Sequence, residues 1–359
     1  MKFFAKPNGF PLVALLCALV VAAPSAHADF WVGNSTANTL QYFDTSTNAI
    51  TQTIDFNVYG TGNHTPGGIA LDSNHNLWVA DTIGNTLAEY TYNSNTGLWN
   101  KGTDGKPIFD TPITNGAGSP EGIAIYNGSV YVVERGTGNN QSVMQYNIAS
   151  KSWTTPIPTS AFPSGAYSYP QGIAINSSGN LFVTDGSSSI YEFSKSSNSW
   201  SLTNTLNGGG YAYGLAFDSK GNLFAASQND GAILEYANTN GTYSISPTTV
   251  VSGADTPVGL AFDPTTGYLL DAENGGSYNH EVVAYSLSGS SSAATGTYQT
   301  AYSPTPTNPE PAWLAGFQPL VVTAPAPSGL VLFALGFGIL GLYYCRKQRS
   351  DSLHRFVAA

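Results

Sequence analysis

The chain has 359 residues, a formal net charge of −10 and only 9% charged residues, with 39 glycines and 21 prolines. Its 42% hydrophobic and 12% aromatic residues argue against disorder, which requires few aromatic residues and a high net charge. The acidic balance is unfavourable for nucleic-acid binding, and two cysteines exclude a disulfide framework or a cysteine-based zinc site.

Residues 1–28 have the pattern of a secretory signal peptide. Two lysines precede an apolar run from Pro11 to Ala23, and Ala-His-Ala at 26–28 has the small-x-small form of a cleavage site. We therefore predict that the protein is exported and that the mature chain begins at Asp29.

The segment 29–322 is acidic and repetitive. Between residues 29 and 325 there are 6 Lys+Arg and 21 Asp+Glu, a formal charge of −15, and no cysteine. One phrase, an x-Gly-Ile/Leu-Ala strand followed by a turn and a second apolar strand, occurs five times. Its marker glycines are 54, 50, 42 and 45 residues apart, at Gly68, Gly122, Gly172, Gly214 and Gly259. Repetition at this period indicates an array of small structural units.

Each unit has the pattern of four short β-strands. A third alternating run ends in an aromatic residue, as in Leu87–Tyr90, and a weaker fourth run follows, as in Ser199–Leu206. Such runs without helical periodicity predict an all-β fold, and four strands per unit of about 40–50 residues is typical of a β-propeller blade. The phrase Pro-x-Gly-Ile/Leu-Ala, followed by Asp-x-x-Gly-Asn-Leu and an aromatic-Val-x-Asp strand, resembles the NHL repeat throughout 29–322.

Two half-repeats at the ends of this segment predict a sixth blade. Phe30–Tyr42 matches strands two and three of a blade, and Pro311–Phe317 matches a first strand without the rest of its blade. Joined, they complete a blade from both termini and remove the exposed sheet edges. We predict a closed six-bladed ring with Trp31 and Trp313 on adjacent strands. The alternative is a seventh blade within 286–310.

The loops that enter strand one and leave strand two of every blade share one face of a propeller, which we name the top face. The residues that leave strand two in successive blades are Asn34, Asp81, Glu134, Asp185, Ser227 and Glu273. Four carboxylates around one opening could coordinate calcium, and the resemblance implies lactonases and lyases that use a channel metal. Alternatively, each side chain accepts backbone N–H bonds of its own loop. Recurrence in every blade favours the second interpretation, so no cofactor is predicted, with calcium left possible.

Aromatic residues on the same face indicate ligand binding. The predicted positions lie in loops that enter strand one, and in the closing blade, at Tyr167, Tyr169, Tyr211, Tyr213 and Trp313. Flat rings with a polar group suit carbohydrate or peptide contacts. The alternative is that they fill the channel or pack between blades.

His64 and Arg135 complete the candidate ligand-binding residues. His64 precedes a first strand on the top face, and Arg135 is the one cation near the predicted opening. Arg135 is either an anion clamp or the ion-pair partner of Glu134 or Asp185. The histidines of the segment do not make a zinc set without a carboxylate such as Glu273, and nothing in the spacing requires one.

The C-terminal segment 323–359 predicts a sorting signal. An apolar run at 329–345 is just long enough for a membrane helix, and a basic cluster follows it. Pro325-Ala326-Pro327 stands before the run. This order resembles the PEP-CTERM signal of Gram-negative bacteria, although Ala326 stands where that family has Glu. The resemblance implies export, an exosortase as partner, and a location at the membrane or cell surface. The alternative is a plain membrane anchor.

These features together predict a non-enzymatic binding or matrix module, displayed at the cell envelope, for a protein or polysaccharide ligand. The competing interpretation is a metal-assisted lactonase, hydrolase or lyase acting in the channel. Fold class does not decide between them, because propellers carry both kinds of function.

Overall fold

The computed structural model describes residues 29–56, 64–100, 109–113, 118–136, 141–163, 169–288, 295–302 and 311–314, except residues 36, 46, 48, 198, 265 and 275–279. Six antiparallel sheets form a six-bladed β-propeller, so the predicted all-β fold and blade number are confirmed.

Blade 1 is built from both ends of the described chain. Its strands are β1 (Phe30–Asn34), β2 (Thr39–Asp44), β3 (Ala49–Asp55) and β27 (Pro311–Leu314). The sheet order is β27-β1-β2-β3, and Val32 lies opposite Leu314 while Gly33 lies opposite Trp313. The predicted clasp is therefore confirmed, with Trp31 and Trp313 on adjacent strands.

The other five blades follow in chain order. Blade 2 contains β4 (Pro66–Leu71), β5 (Leu77–Asp81), β6 (Thr86–Asn93) and β7 (Leu98–Asn100), with β8 (Phe109–Pro112) also paired to β6. Blade 3 contains β9 (Gly118–Tyr126), β10 (Ser129–Gly136), β11 (Ser142–Asn147) and β12 (Ser152–Ile157), and a 3₁₀ helix (Thr159–Ala161) follows it. Blade 4 contains β13 (Ile173–Ile175), β14 (Leu181–Thr184), β15 (Ser189–Ser196) and β16 (Ser199–Asn207).

Blades 5 and 6 complete the ring. Blade 5 contains β17 (Ala212–Phe217), β18 (Leu223–Ser227), β19 (Ala232–Tyr236) and β22 (Thr248–Ser252), with the hairpin of β20 (Asn238–Thr239) and β21 (Thr242–Tyr243) before its last strand. Blade 6 contains β23 (Pro257–Phe262), β24 (Leu269–Asn274), β25 (His280–Ser288) and β26 (Thr295–Tyr302). Because β26 is the fourth strand of blade 6, the described part of 286–310 belongs to the sixth blade.

The innermost strands contact one another around the whole ring, in the order β4, β9, β13, β17, β23 and β27, which returns to β4. The marker glycines allow this approach. A Cβ on Gly68 would lie 2.5 Å from the carbonyl oxygen of Glu121, and one on Gly214 would lie 2.5 Å from that of Val258. The repeated glycine therefore lets the backbone of one blade reach the backbone of the next.

Apolar side chains fill the spaces between blades. Between blades 1 and 2, the fully buried Trp31 meets Trp99 edge to face, with ring centroids 5.0 Å apart, and Leu40, Leu77 and Val79 belong to the same cluster. Burying one such large side chain contributes roughly 1.5–3 kcal/mol. This packing fixes the relative positions of the blades and hence of their top-face loops.

The turn between strands one and two explains the Asp-x-x-Gly-Asn part of the repeat. In blade 5, Oδ1 of Asp218 accepts N–H bonds from Lys220 at 2.9 Å and Asn222 at 2.8 Å. Gly221 between them has a φ of +83°, and Oδ1 of Asn222 accepts the N–H of Asn238 at 2.9 Å. The motif therefore closes a hairpin on the face opposite the top face.

No helix among the described residues is both long and apolar enough to cross a bilayer. The predicted signal peptide at 1–28 and the predicted sorting segment at 323–359, with Pro325, Ala326 and Pro327, lie outside the described residues.

Candidate functional site

The strand register brings the predicted residues of strand two to one face. Asp81 lies opposite Pro66, Glu134 opposite Pro120, and Glu273 opposite Pro257, so the end of strand two meets the beginning of strand one in each of these blades.

Three of these side chains bond to their own loops. Oδ1 of Asn34 accepts the N–H of Ala37 at 2.8 Å, and Oδ1 of Asp81 accepts the N–H of Gly84 at 2.8 Å. Oδ1 of Asp185 accepts the N–H groups of Ser187 and Ser189, at 2.9 and 3.1 Å. Asn34, Asp81 and Asp185 therefore accept backbone N–H bonds of their own loops, as the second interpretation of these residues expected.

His64 lies beside the buried Asp81. Its Nδ1 is 2.5 Å from Oδ2 of Asp81, and Oδ1 of Asp81 also accepts the N–H of Thr65 at 3.2 Å. Asp81 is the last residue of strand two, and His64 precedes strand one of the same blade. Their contact therefore joins the two top-face loops of blade 2.

Glu134 behaves differently from the loop-bonded residues. It is 0% exposed, and neither carboxylate oxygen has a hydrogen-bond partner among the described residues. Burial, with a smaller contribution from the nearby Glu121, raises the pKa of Glu134 to about 7. A carboxyl group in this state is half protonated near neutral pH and can either hold or release a proton.

Glu121 is a functional candidate that the sequence analysis missed. Burial raises its pKa to about 7, and Arg135 acts in the opposite direction. The residue stands directly before a marker glycine, where the other copies have Gly67, Gln171, Tyr213 and Val258. A carboxylate at this one copy of the repeat is the signal that could have identified it.

Arg135 pairs with Glu121, not with either of the partners that the sequence analysis considered. Its Nη1 is 3.5 Å from Oε1 of Glu121, and its guanidinium carbon lies 4.7 Å from the ring centroid of Tyr169. The Arg135 side chain is 42% exposed, whereas that of Glu121 is 8% exposed. A buried carboxylate and an exposed aromatic ring thus hold a solvent-accessible guanidinium on the top face.

The predicted aromatic residues divide into exposed and packed ones. Tyr169 and Tyr211 are 47% and 46% exposed, on equivalent loops of blades 4 and 5, whereas Tyr213 packs partly against the apolar cluster of Val258. Tyr167 lies outside the described residues, and only the backbone of Trp313 is described.

Tyr211 has a left-handed backbone conformation, with a φ of 57°. This region is unfavourable for a bulky side chain. The conformation is held because Tyr211 O accepts the N–H of Gln228 at 2.9 Å, and Gly210 donates to Oδ2 of Asp230 at 2.7 Å. Strain that the surroundings maintain is a feature of many ligand-binding positions.

Glu273 and Asp271 form a second buried carboxyl pair, in blade 6. Glu273 accepts a bond from the Tyr285 hydroxyl at 3.0 Å. Asp271 is 0% exposed and has no partner among the described residues; burial, and then Glu273, raise its pKa well above the ordinary value. Sequence analysis missed Asp271, which stands where four of the other blades have valine.

The central channel is lined by the first strands of blades 2 to 6. It has a volume of about 290 Å³ and is lined by Gly68–Leu71, Gly122–Ile125, Gly172–Ile175, Gly214–Phe217 and Gly259–Phe262. These walls are backbone and small, aliphatic or phenylalanine side chains, which carry no titratable group.

In the described part of the chain, no three His, Cys, Asp or Glu side chains are grouped so that they could hold a metal ion. We therefore assign no residue as a metal ligand.

No family model matches the chain, and no curated protein matches it. The structure is similar to a chain of the nidogen/laminin complex, with a TM-score of 0.57 and 13% identity over 80% of this chain and 97% of that chain. A protein of unknown function from Bacteroides caccae gives a TM-score of 0.54 and 13% identity over 80% of this chain and 98% of that chain. A candidate 6-phosphogluconolactonase from Bacteroides uniformis gives a TM-score of 0.52 and 13% identity over 76% of this chain and 83% of that chain. At such identities the likeness shows the fold alone, a six-bladed β-propeller.

Proposed function

We propose that this protein is an exported, envelope-anchored propeller whose top face binds a polysaccharide. The observation that carries the proposal is the pair of exposed rings, Tyr169 and Tyr211, at equivalent positions of neighbouring blades. Each ring offers an apolar face and a hydroxyl to the solvent, which is the combination that suits a sugar.

The distribution of exposed apolar side chains supports this choice of face. Among the described residues, the large hydrophobic side chains that remain exposed are Ile83, Leu98, Tyr169, Tyr211 and Ile245. Three of these five lie on top-face loops, and the two tyrosines among them lie on neighbouring blades. Exposed aromatic residues on loops held by a rigid scaffold are typical of binding sites.

Export and anchoring come from the two terminal patterns. The signal-peptide pattern at 1–28 supports transport across the inner membrane, and the Pro-x-Pro, apolar, basic order at 323–359 supports retention at the membrane or transfer to the surface by an exosortase.

Glycan-array binding of the full mature chain in detergent tests the proposal. We expect binding to a polysaccharide class, and at least a tenfold loss of affinity in the double variant Tyr169→Ala/Tyr211→Ala. Leu98→Ala is the matched control, because Leu98 is 42% exposed on the opposite face. Binding that survives the double variant, or that is equally reduced in the control, would contradict the proposal.

A second candidate function is a hydrolase or lyase, and the Glu121–Glu134 pair is the observation that favours it. Two carboxyl groups with pKa values of about 7 are suited to general acid and base chemistry. The test is the release of new chain ends from a polysaccharide panel, with and without calcium. Product formation that disappears in Glu134→Gln would favour the enzyme, whereas binding without turnover would favour the binding module.

A further inference from the structure

We propose that Arg135 and Tyr169 form a subsite for a sugar that carries a carboxylate, so that the polysaccharide recognised by the top face is an acidic one. This inference rests on the proposed function and narrows its ligand class from polysaccharides in general to polymers that contain uronate residues.

Two contacts within the protein hold the Arg135 side chain. Its guanidinium stacks on the Tyr169 ring at 4.7 Å and contacts Oε1 of Glu121 at 3.5 Å. These contacts restrict the rotamers that a free arginine would sample, so less entropy is lost when a ligand binds. Tyr169 is itself 47% exposed, which leaves ring surface beside the guanidinium for a sugar.

The guanidinium has donors to spare. An arginine carries five N–H donors in one plane, a fork that matches a carboxylate in bidentate geometry. Within the described part of the chain, Arg135 makes one side-chain hydrogen bond, to Glu121, and that bond is long. With 42% of the side chain exposed, the remaining donors are available to a ligand on the top face.

Arg135 lies on a different face of the propeller from the other described lysine and arginine residues. The other described cations, Lys151, Lys195 and Lys220, lie at or near turns of the face opposite the top face. In a segment with a formal charge of −15, Arg135 is the one lysine or arginine that the described residues place on the top face, and it is a local exception to the acidic charge. It offers one point at which an anionic group is stabilised and not repelled.

Glu121 does not cancel this charge completely. Burial raises the pKa of Glu121 to about 7, so the carboxyl group is protonated in roughly half of the molecules near neutral pH. In those molecules Arg135 keeps its full positive charge for a ligand. The ion pair therefore positions the guanidinium more than it neutralises it.

The chain contains a matched control for the stacked cation. Lys195 lies 5.8 Å from the ring centroid of Trp200, between outer strands and away from the top face. Lys195→Gln removes a stacked positive charge, as Arg135→Gln does, but leaves the proposed subsite intact.

The test measures the affinity of the full mature chain, in detergent, for an oligogalacturonate and for the same oligosaccharide after reduction of its carboxylates to alcohols. We expect the acidic form to bind at least about tenfold more tightly than the reduced form, because a hydrogen bond to a charged group contributes about this much. Arg135→Gln should abolish this preference, Arg135→Lys should retain part of it, and Lys195→Gln should leave it unchanged.

Equal affinity for the two forms, or a preference that survives Arg135→Gln, overturns the inference. If both forms bind equally through Tyr169 and Tyr211, the proposed function stands and only the acidic subsite is wrong. If neither form binds, the acidic subsite is wrong, and the glycan array decides the proposed function separately. Should Arg135→Gln fail to fold, the double variant Glu121→Gln/Arg135→Gln, which removes both members of this ion pair together, provides the same comparison.

Discussion

Glu134→Gln should make the propeller more stable at pH 8 and leave its stability at pH 4.5 nearly unchanged. The Glu134 carboxyl group is fully buried, without a partner among the described residues, and its pKa is about 7, compared with an ordinary value of 4.5. The folded state therefore holds this proton more tightly than the unfolded chain does. Its contribution to the free energy of unfolding is complete below pH 4.5 and is lost as the pH rises to about 7.

The size of this loss follows from the two pKa values. A difference between 4.5 and about 7 corresponds to about 3 kcal/mol, at 1.36 kcal/mol for each pKa unit. An amide of the same shape carries no charge at any pH, so the variant does not lose this stability. At roughly 2–4 °C per kcal/mol for a domain of this size, the melting temperature at pH 8 should rise by about 6–12 °C.

Thermal unfolding of both proteins, followed by circular dichroism between pH 4.5 and pH 8, measures the effect. Asp255→Asn is the control, because Asp255 is exposed and its change should leave the pH profile of the wild type in place. Parallel profiles for wild type and Glu134→Gln would show that the burial of Glu134 does not perturb its titration, and a less stable variant at pH 8 would refute the argument outright.

Five further outcomes are expected. Thr256→Gly should raise the free energy of unfolding by about 1 kcal/mol, because glycine adopts the φ of 60° at this position without strain. Tyr211→Gly should stabilise the protein in the same way but lose polysaccharide binding; unfolding and binding assays measure the two effects. Gly68→Ala should lower the free energy of unfolding by about 3 kcal/mol or more, measured by denaturant titration, because the added methyl group would lie 2.5 Å from the backbone of the next blade. Deletion of 323–359 should move the protein from the membrane or surface fraction to the soluble fraction on immunoblots; a soluble full-length protein would contradict the anchor. Calcium should shift the melting temperature little, and a rise of several degrees that Asp185→Asn abolishes would favour a metal site.

The repeat made the fold predictable because its glycines and turn residues have direct structural roles. The same marker glycine recurs wherever two inner strands approach, and the matched half-repeats at the ends could pair only with each other. Side-chain partners were less predictable. The register shift with the first strand between Val132 and Glu134 also occurs in blades 2, 5 and 6, so it does not single out the Arg135–Glu121 pair. Asp271 was missed for another reason: a carboxylate in the middle of an apolar strand has no motif.

The clasp also affects when the ring can form during synthesis. Val32 and Leu314 pair although they are about 280 residues apart in the chain, so blade 1 stays incomplete until β27 has been made. Until then, the inner edge of β1 has unpaired N–H and C=O groups. Contacts between such distant residues form slowly, because the loop between them must close first. The fold is therefore complete only when the chain through β27 is present. A chain that lacks β27 keeps an exposed strand edge at β1, which the complete propeller does not have.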